Sequence, residues 1–170
     1  SAMLGRVDVS LFRSLNGAGT SPILDQIFRF FSFATRLNSV RIALAILVIT
    51  MIARNARTRA ASLLTMLAWP LANALSDIFK GLWPAQRPCA ELSNVRLLTD
   101  YAGNLYQLGS SGTMSAHAAN MAAVAMVMTL KLKWWGAPWV AVALLTGISR
   151  IYLGVHYPSQ VLLGWLGGML

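Results

Sequence analysis

The sequence has little acid and almost no cysteine. Asp and Glu number 5 in 170 residues, so the 14 Lys and Arg set a formal net charge of +9. The single cysteine, Cys89, excludes an intramolecular disulfide and any metal site built from cysteines. Charged residues of both signs make up 11% of the chain against 56% hydrophobic, far from the balance of a soluble domain. The basic residues are scattered at the ends of apolar segments and form no stripe, which argues against a nucleic-acid partner. No cleavable signal peptide is visible, and none is required where membrane spans direct their own insertion. The opening Ser1-Ala2-Met3 reads as a tag-cleavage scar, leaving residues 4–170 as a single domain.

Against these scarcities stands an excess of long apolar segments. Leu37 to Ala53, Thr58 to Phe79, Ser115 to Leu132 and Gly136 to Leu153 each run about 17 to 22 residues, or roughly 25 to 33 Å as helix, the thickness of a bilayer core. Pro22 to Thr35 carries Asp25 and Arg29, and Pro158 to Leu170 is short; both are read as further spans. The expected fold is therefore all-α, a polytopic membrane protein built as a six-helix transmembrane bundle. Asp25, Arg29 and Asp77 lie inside spans and are expected to point into the bundle, where a charge finds polar partners. The segment "VDVSLFRSLNGAG" has apolar residues near helical spacing and is expected to lie along the interface before the first span.

Arg54, Arg57 and Arg59 follow the second span, and Lys131 and Lys133 follow the fourth. The positive-inside rule makes these loops cytoplasmic, which puts the long loop from about 80 to 114 on the outer face. Arg36 and Arg41 fall on the wrong side of that scheme. Trp83, Trp134, Trp135 and Trp139 sit near span ends, as an interfacial aromatic belt would, and Met121, Met126 and Met128 read as packing residues.

Three polar islands share the outer face. In "KGLWPAQRP", Lys80 and Arg87 are seven residues apart, and Pro84 breaks the helix between them, so the loop itself must bring the two cations together. In "LGSSGTMSAHAAN", Ser110, Ser111, Gly112 and Thr113 precede a helix whose first turn holds Ser115, Ala116 and His117. Unpaired amides at such a helix start form an anion site, and the small residues let a phosphate approach. In "SRIYLGVHYPSQ", Arg150 and His156 converge only if the chain breaks between them, which Gly154 permits, with Pro158 opening the next helix. Three cations with helix-start amides match the charge of a phosphoryl group in transfer, and two histidines supply a nucleophile and an acid.

The order Lys-x6-Arg-Pro, a small-residue motif ending in His, then Ser-Arg-x5-His resembles the type 2 phosphatidic acid phosphatase (PAP2) superfamily, which also includes vanadium haloperoxidases. The resemblance covers nearly the whole chain. It implies that Lys80, Arg87 and Arg150 bind phosphate, with Ser115, Ala116 and the amides beside them completing the cradle. It further implies that His156 attacks phosphorus to give a phosphohistidine and that His117 protonates the leaving oxygen, with no metal or other cofactor. The sequence departs from the family pattern at Met114, where proline is usual, and at Ala116, where glycine or serine is usual. It departs again at Gln160, where an aspartate is usual four residues after the nucleophile. A glutamine amide accepts a hydrogen bond but brings no charge, and in serine protease triads the analogous loss costs about 10⁴ in turnover. Three alternatives stay open: weakened catalysis, an engineered inactive form, or a substitute carboxylate such as Asp100.

The leading expectation is an integral membrane hydrolase acting on a lipid phosphate or diphosphate at the outer leaflet of a bacterial inner membrane. Undecaprenyl diphosphate comes first as substrate, ahead of phosphatidylglycerol phosphate, phosphatidic acid and lipid A phosphates. The partners expected are the lipid substrate and the surrounding bilayer. The competing expectation is a lipid-phosphate-binding membrane protein without turnover, which Gln160 favours. A haloperoxidase ranks third, since that chemistry is expected in a soluble chain.

Overall fold

The computed structural model describes residues 2–105 and 111–170, with side chains of residues 2–4 and 18 outside that description. All regular structure among the described residues is helical. In chain order the helices are α1 (Ala2–Arg13), α2 (Pro22–Phe33), α3 (Asn38–Arg54), α4 (Ala56–Leu82), the single turn α5 (Pro88–Glu91), α6 (Ala116–Leu132), α7 (Ala137–Tyr152) and α8 (Pro158–Gly168). Each expected span is thus a helix. Local chemistry sets the starts: Ser21 accepts the Leu24 N–H ahead of Pro22, and Asn55 accepts the Thr58 N–H at 3.0 Å.

Length limits which helices cross a bilayer unaided. α4, at 27 residues, is long and apolar enough, and α2 with the turn after it passes together with α3 as a pair bent by 66°. α6, α7 and α8 have 17, 16 and 11 residues, short of that test. Length and apolarity therefore mark one clear span, or two with the bent pair, where the sequence pattern suggested six.

The distribution of polarity supports a membrane setting. Ile42, Ile46 and Ile49 of α3 and Leu63, Met66, Leu67 and Leu71 of α4 face outward, each more than half exposed. The interior holds Ser32, Ser62, Ser76, Asn120, Thr146, Ser149 and Arg150. A bundle that turns apolar side chains outward and keeps polar ones among its buried residues is stable where the surroundings are hydrocarbon. Ser32 and Ser149 share a hydrogen bond of 2.7 Å across α2 and α7.

α6 is the central helix, packed on α4, α7 and α8. Its buried face is mostly alanine (118, 119, 122, 123 and 125), and α8 meets it with small residues. A Cβ at Gly168 would lie 2.1 Å from the Ala119 carbonyl oxygen, so this contact is backbone on backbone. That approach carries the start of α8 to the start of α6, where the Ser115 N–H donates to the Gln160 carbonyl at 3.0 Å.

The charged residues within spans divide. Asp25 accepts from the Tyr152 hydroxyl at 2.6 Å and pairs with Arg96, while Arg29 is half-buried near it. Asp77, expected to point inward, is 61% exposed and bound to Lys80 and Asn73. It lies near the end of α4, where a neighbouring ammonium satisfies it without burial. α1 does more than lie at the interface: Asp8 accepts the Ser159 N–H at the start of α8, and Phe12 is buried edge-on against Tyr157.

Candidate active site

Two segments frame the site. After α4 ends, residues 83–87 run beside residues 111–113: the Gly112 N–H donates to the Ala85 carbonyl at 2.8 Å, the Ala85 N–H to Ser111 Oγ at 3.1 Å, and the Thr113 hydroxyl to the Trp83 carbonyl. This clamp buries the Arg87 side chain, whose Nη2 donates to the Ser111 carbonyl at 2.9 Å. Its Nη1 donates to the Val155 carbonyl at 3.1 Å and meets His156 Nε2 at 3.0 Å.

α7 ends at Tyr152 and Gly154 takes φ +86°, a left-handed conformation that a side chain resists. The reversal lets the N–H groups of Val155 and His156 both donate to the Arg150 carbonyl at 3.2 Å. The break expected between Arg150 and His156 is therefore present, and Pro158 is the first residue of α8. Arg150 is fully buried and His156 is 4% exposed.

The imidazole of His156 has a determined polarity. Nδ1 lies 3.2 Å from the Gly112 carbonyl and 3.1 Å from Gln160 Oε1. Gln160 Oε1 also accepts the Tyr157 N–H, and its Nε2 donates to the Gln86 carbonyl at 2.8 Å, which fixes the amide's orientation. Both neighbours of Nδ1 are acceptors, so Nδ1 carries the proton. Nε2 faces a guanidinium, which only donates, so its lone pair points at Arg87. Burial, reinforced by the charges of Arg150 and Arg87, holds the His156 pKa well below the ordinary histidine value. The ring is thereby held in its neutral form.

Ser115 is the N-cap of α6, fully buried, with Oγ accepting the Ala118 N–H; Ala116 and His117 follow as its first two helical residues, both half-buried. The charges of Arg150, Arg36, Lys80 and Arg87 all reach His117, and His117 in turn acts on His156. Lys80, half-buried at the end of α4, is tied to Asp77 at 3.0 Å. Direct hydrogen bonds thus unite Arg87, His156 and Gln160, the backbone joins Ser115 and Arg150 to them, and Lys80 and His117 take part through the field.

Met114 is fully buried among α4 and α8 residues, and its carbonyl accepts the Ser76 hydroxyl at 3.2 Å. Asp100 does not substitute for a carboxylate beside His156: it is engaged by Arg36 at 2.6 Å and by the amides of Ala102 and Asn104. The sequence reading also missed the carbonyls of Gly112 and Gln86, since backbone acceptors leave no residue-type signal. Ser110 and the rest of 106–110 lie outside the described residues.

The chain is similar to known proteins in sequence and in fold. The chain is 31% identical over 124 residues to "Bacitracin transport permease protein BcrC" of Bacillus licheniformis, covering 73% of this chain and 58% of the relative. It is 30% identical over 116 residues to an undecaprenyl-diphosphatase of Sulfolobus acidocaldarius, covering 66% and 52%. The chain spans somewhat over half the length of these curated relatives. The crystal structure of Aquifex aeolicus LpxE superposes with a TM-score of 0.74 at 28% identity, over 96% of this chain and 90% of that one. A transmembrane PAP2-type phosphatidylglycerolphosphate phosphatase from Bacillus subtilis gives 0.71 at 21% identity, over 99% and 82%, a likeness of fold. With residues 59–170 matching the PAP2 superfamily model, the chain is a member of the PAP2 superfamily.

Proposed function

We propose that the protein is an integral membrane phosphatase that hydrolyses a lipid phosphate or diphosphate through a phosphohistidine on His156. The observation that carries the reading is the imidazole held between two acceptors on one side and a guanidinium on the other. A phosphoryl group entering the site takes over the Arg87 hydrogen bond and lies against the Nε2 lone pair. The Nε2–P bond forms as the bond to the leaving oxygen breaks, and that oxygen keeps the electron pair and takes a proton from His117. Water then attacks the phosphohistidine, giving a proton to His117 as the Nε2–P bond breaks with its electron pair left on Nε2, which releases inorganic phosphate and restores neutral His156 and protonated His117. Arg87, Arg150 and Lys80 offset the phosphoryl charge with Ser115, Ala116 and the amides at the start of α6. The chemistry is positioning and electrostatics, for which these cations suffice.

Undecaprenyl diphosphate is the first substrate to try, supported by the Sulfolobus acidocaldarius relative's name. Phosphatidylglycerol phosphate, phosphatidic acid and lipid A phosphates follow. The exposed apolar residues of α3 and α4 and the match to membrane structures support a bundle in which the shorter helices also cross. The charge pattern of the loops supports a site on the outer face of a bacterial inner membrane.

The test is phosphate release by purified protein from these lipids in detergent. Wild type is expected to turn over at least one of them, and His156→Ala to abolish release. Full activity in His156→Ala with loss in His117→Ala would reverse the two roles. The second reading, lipid-phosphate binding without turnover, is favoured by the absence of charge at Gln160. It gains if vanadate binds while every lipid stays intact.

A further inference from the structure

Acid is scarce in this chain, yet three of its five carboxylates hold the short segment that carries His156. Asp25 of α2 accepts the Tyr152 hydroxyl at 2.6 Å, Glu91 of α5 accepts the Tyr157 hydroxyl at 2.9 Å, and Asp8 of α1 accepts the Ser159 N–H at 2.9 Å. The imidazole itself meets two neutral acceptors and a guanidinium. The carboxylates therefore grip the neighbours of His156 through uncharged donors.

Glu91 is the one placed to act on the reaction, because it closes a ring of contacts. Arg87 is the N-cap of α5, and its carbonyl accepts the Glu91 N–H at 3.1 Å. The Glu91 carboxylate takes the Tyr157 hydroxyl, Tyr157 follows His156 in the chain, and His156 Nε2 meets Arg87 Nη1 at 3.0 Å. Every joint of that ring is a covalent bond or a hydrogen bond. Its two ends are anchored: Pro88 is fully buried at the start of α5, and Tyr157 is buried with its ring edge-on to Phe12 at 5.6 Å. Burial and the adjacent carboxylate push the Tyr157 pKa up, so the hydroxyl keeps its proton and donates. The Glu91 side chain is otherwise exposed.

The ring matters when substrate arrives. A phosphoryl group bound for Nε2 must come between that atom and the Arg87 guanidinium, and it removes the direct hydrogen bond between them. The Ser111 and Val155 carbonyls still hold the guanidinium, and Gln160 still ties the Nδ1 side of the imidazole to the Gln86 carbonyl. Glu91 supplies the matching tie beyond Arg87, from the start of α5 to the residue after His156. We propose that Glu91, acting through the Tyr157 hydroxyl, is a positioning residue that keeps Arg87 and His156 in register for in-line phosphoryl transfer once substrate has displaced their own hydrogen bond. The inference rests on the phosphohistidine reading.

The experiment measures phosphate release from farnesyl diphosphate by detergent-solubilised wild type, Glu91→Ala, Glu91→Gln, Tyr157→Phe and the double variant Glu91→Ala with Tyr157→Phe. Loss of either partner should lower kcat by about 10- to 100-fold, the scale for a reacting group misplaced by up to about 1 Å, and leave KM within about threefold. The double variant should be no slower than the slower single one, since both remove the same bond. Glu91→Gln keeps an acceptor oxygen and should recover most of the loss. Because Glu91 is exposed, the melting temperature of Glu91→Ala should fall by less than about 4 °C. Full kcat in Glu91→Ala, additive losses in the double variant, no recovery in Glu91→Gln, or a rise in KM as large as the fall in kcat overturns the assignment while leaving the phosphatase reading intact. Vanadate probes the same geometry without turnover, because five-coordinate vanadate bonded to Nε2 needs His156 and Arg87 in register, whereas inorganic phosphate needs only the cations. In calorimetry Glu91→Ala should bind vanadate about tenfold more weakly than wild type and phosphate within about threefold. Equal weakening of both, or of neither, overturns the proposal even where no lipid is cleaved; the split without cleavage of any lipid supports it and counts against the phosphatase reading.

Discussion

Replacing Gln160 by glutamate changes one amide nitrogen to oxygen at constant side-chain length, and two consequences can be worked from the contacts. One carboxylate oxygen can still accept from His156 Nδ1 and the Tyr157 N–H, now with a charge within about 4 Å of the ring, where unit charges interact by about 4 kcal/mol at an effective dielectric of 20. The charge favours the imidazolium, opposing the burial and the guanidiniums that now hold the ring neutral. The second oxygen replaces the amide donor 2.8 Å from the Gln86 carbonyl, turning a hydrogen bond into the contact of two acceptors. That exchange should cost about 1 to 3 kcal/mol of stability, with the site nearly closed to water. The expected outcome is an acid limb of kcat/KM whose midpoint rises by about 1 to 3 pH units, together with a lower melting temperature. The assay is phosphate release from pH 4 to 9 by wild type and Gln160→Glu, with Gln160→Leu as the variant that removes the contacts without adding charge. An acid limb that stays put in Gln160→Glu while melting falls would refute His156 as the titrating nucleophile.

His156 should also govern stability in acid. Its folded pKa is depressed, so below about 6.5 the unfolded chain binds more protons than the native one and stability falls as pH falls; His156→Gln should flatten part of that slope in melts from pH 8 to 5. Ser115→Ala removes the cap of α6 and should lower stability by about 1 kcal/mol, read by thermal melting in detergent, and raise KM for any lipid phosphate. Gly168→Ala places a methyl carbon 2.1 Å from the Ala119 oxygen, forcing α8 away from α6; it should cost about 1 to 3 kcal/mol and reduce kcat from a distance, because Gln160 travels with α8.

Much of the architecture could be read from the residues because the signals were local. Each apolar run became a helix, Pro22 and Pro158 opened helices, and Gly154 sat at the break that brings His156 under Arg150. The motif residues of the site were legible for the same reason. What escaped depended on tertiary pairing. Asp77 reads as buried from its place in a run, yet Lys80 one turn later lets it stay exposed. The role of Gln160 could not be settled from its residue type, since it follows from the Gly112 and Gln86 carbonyls supplied by the clamp. Arg36 is separated by 64 positions from the carboxylate that positions it, and no spacing pattern joins them.

The clamp between residues 83–87 and 111–113 has a consequence for how such a site can diversify. It ties the chain together on both sides of the loop between residues 87 and 111, and its own hydrogen bonds place Arg87 and Gly112 side by side. Lengthening a flexible loop is inexpensive, about 0.6 kcal/mol for each doubling. Asp100 lies in this loop, and His156 does not. Residues 92–105 can therefore be exchanged without moving Arg87 or His156, and grafting them from a relative tests whether the loop and the clamp are separable.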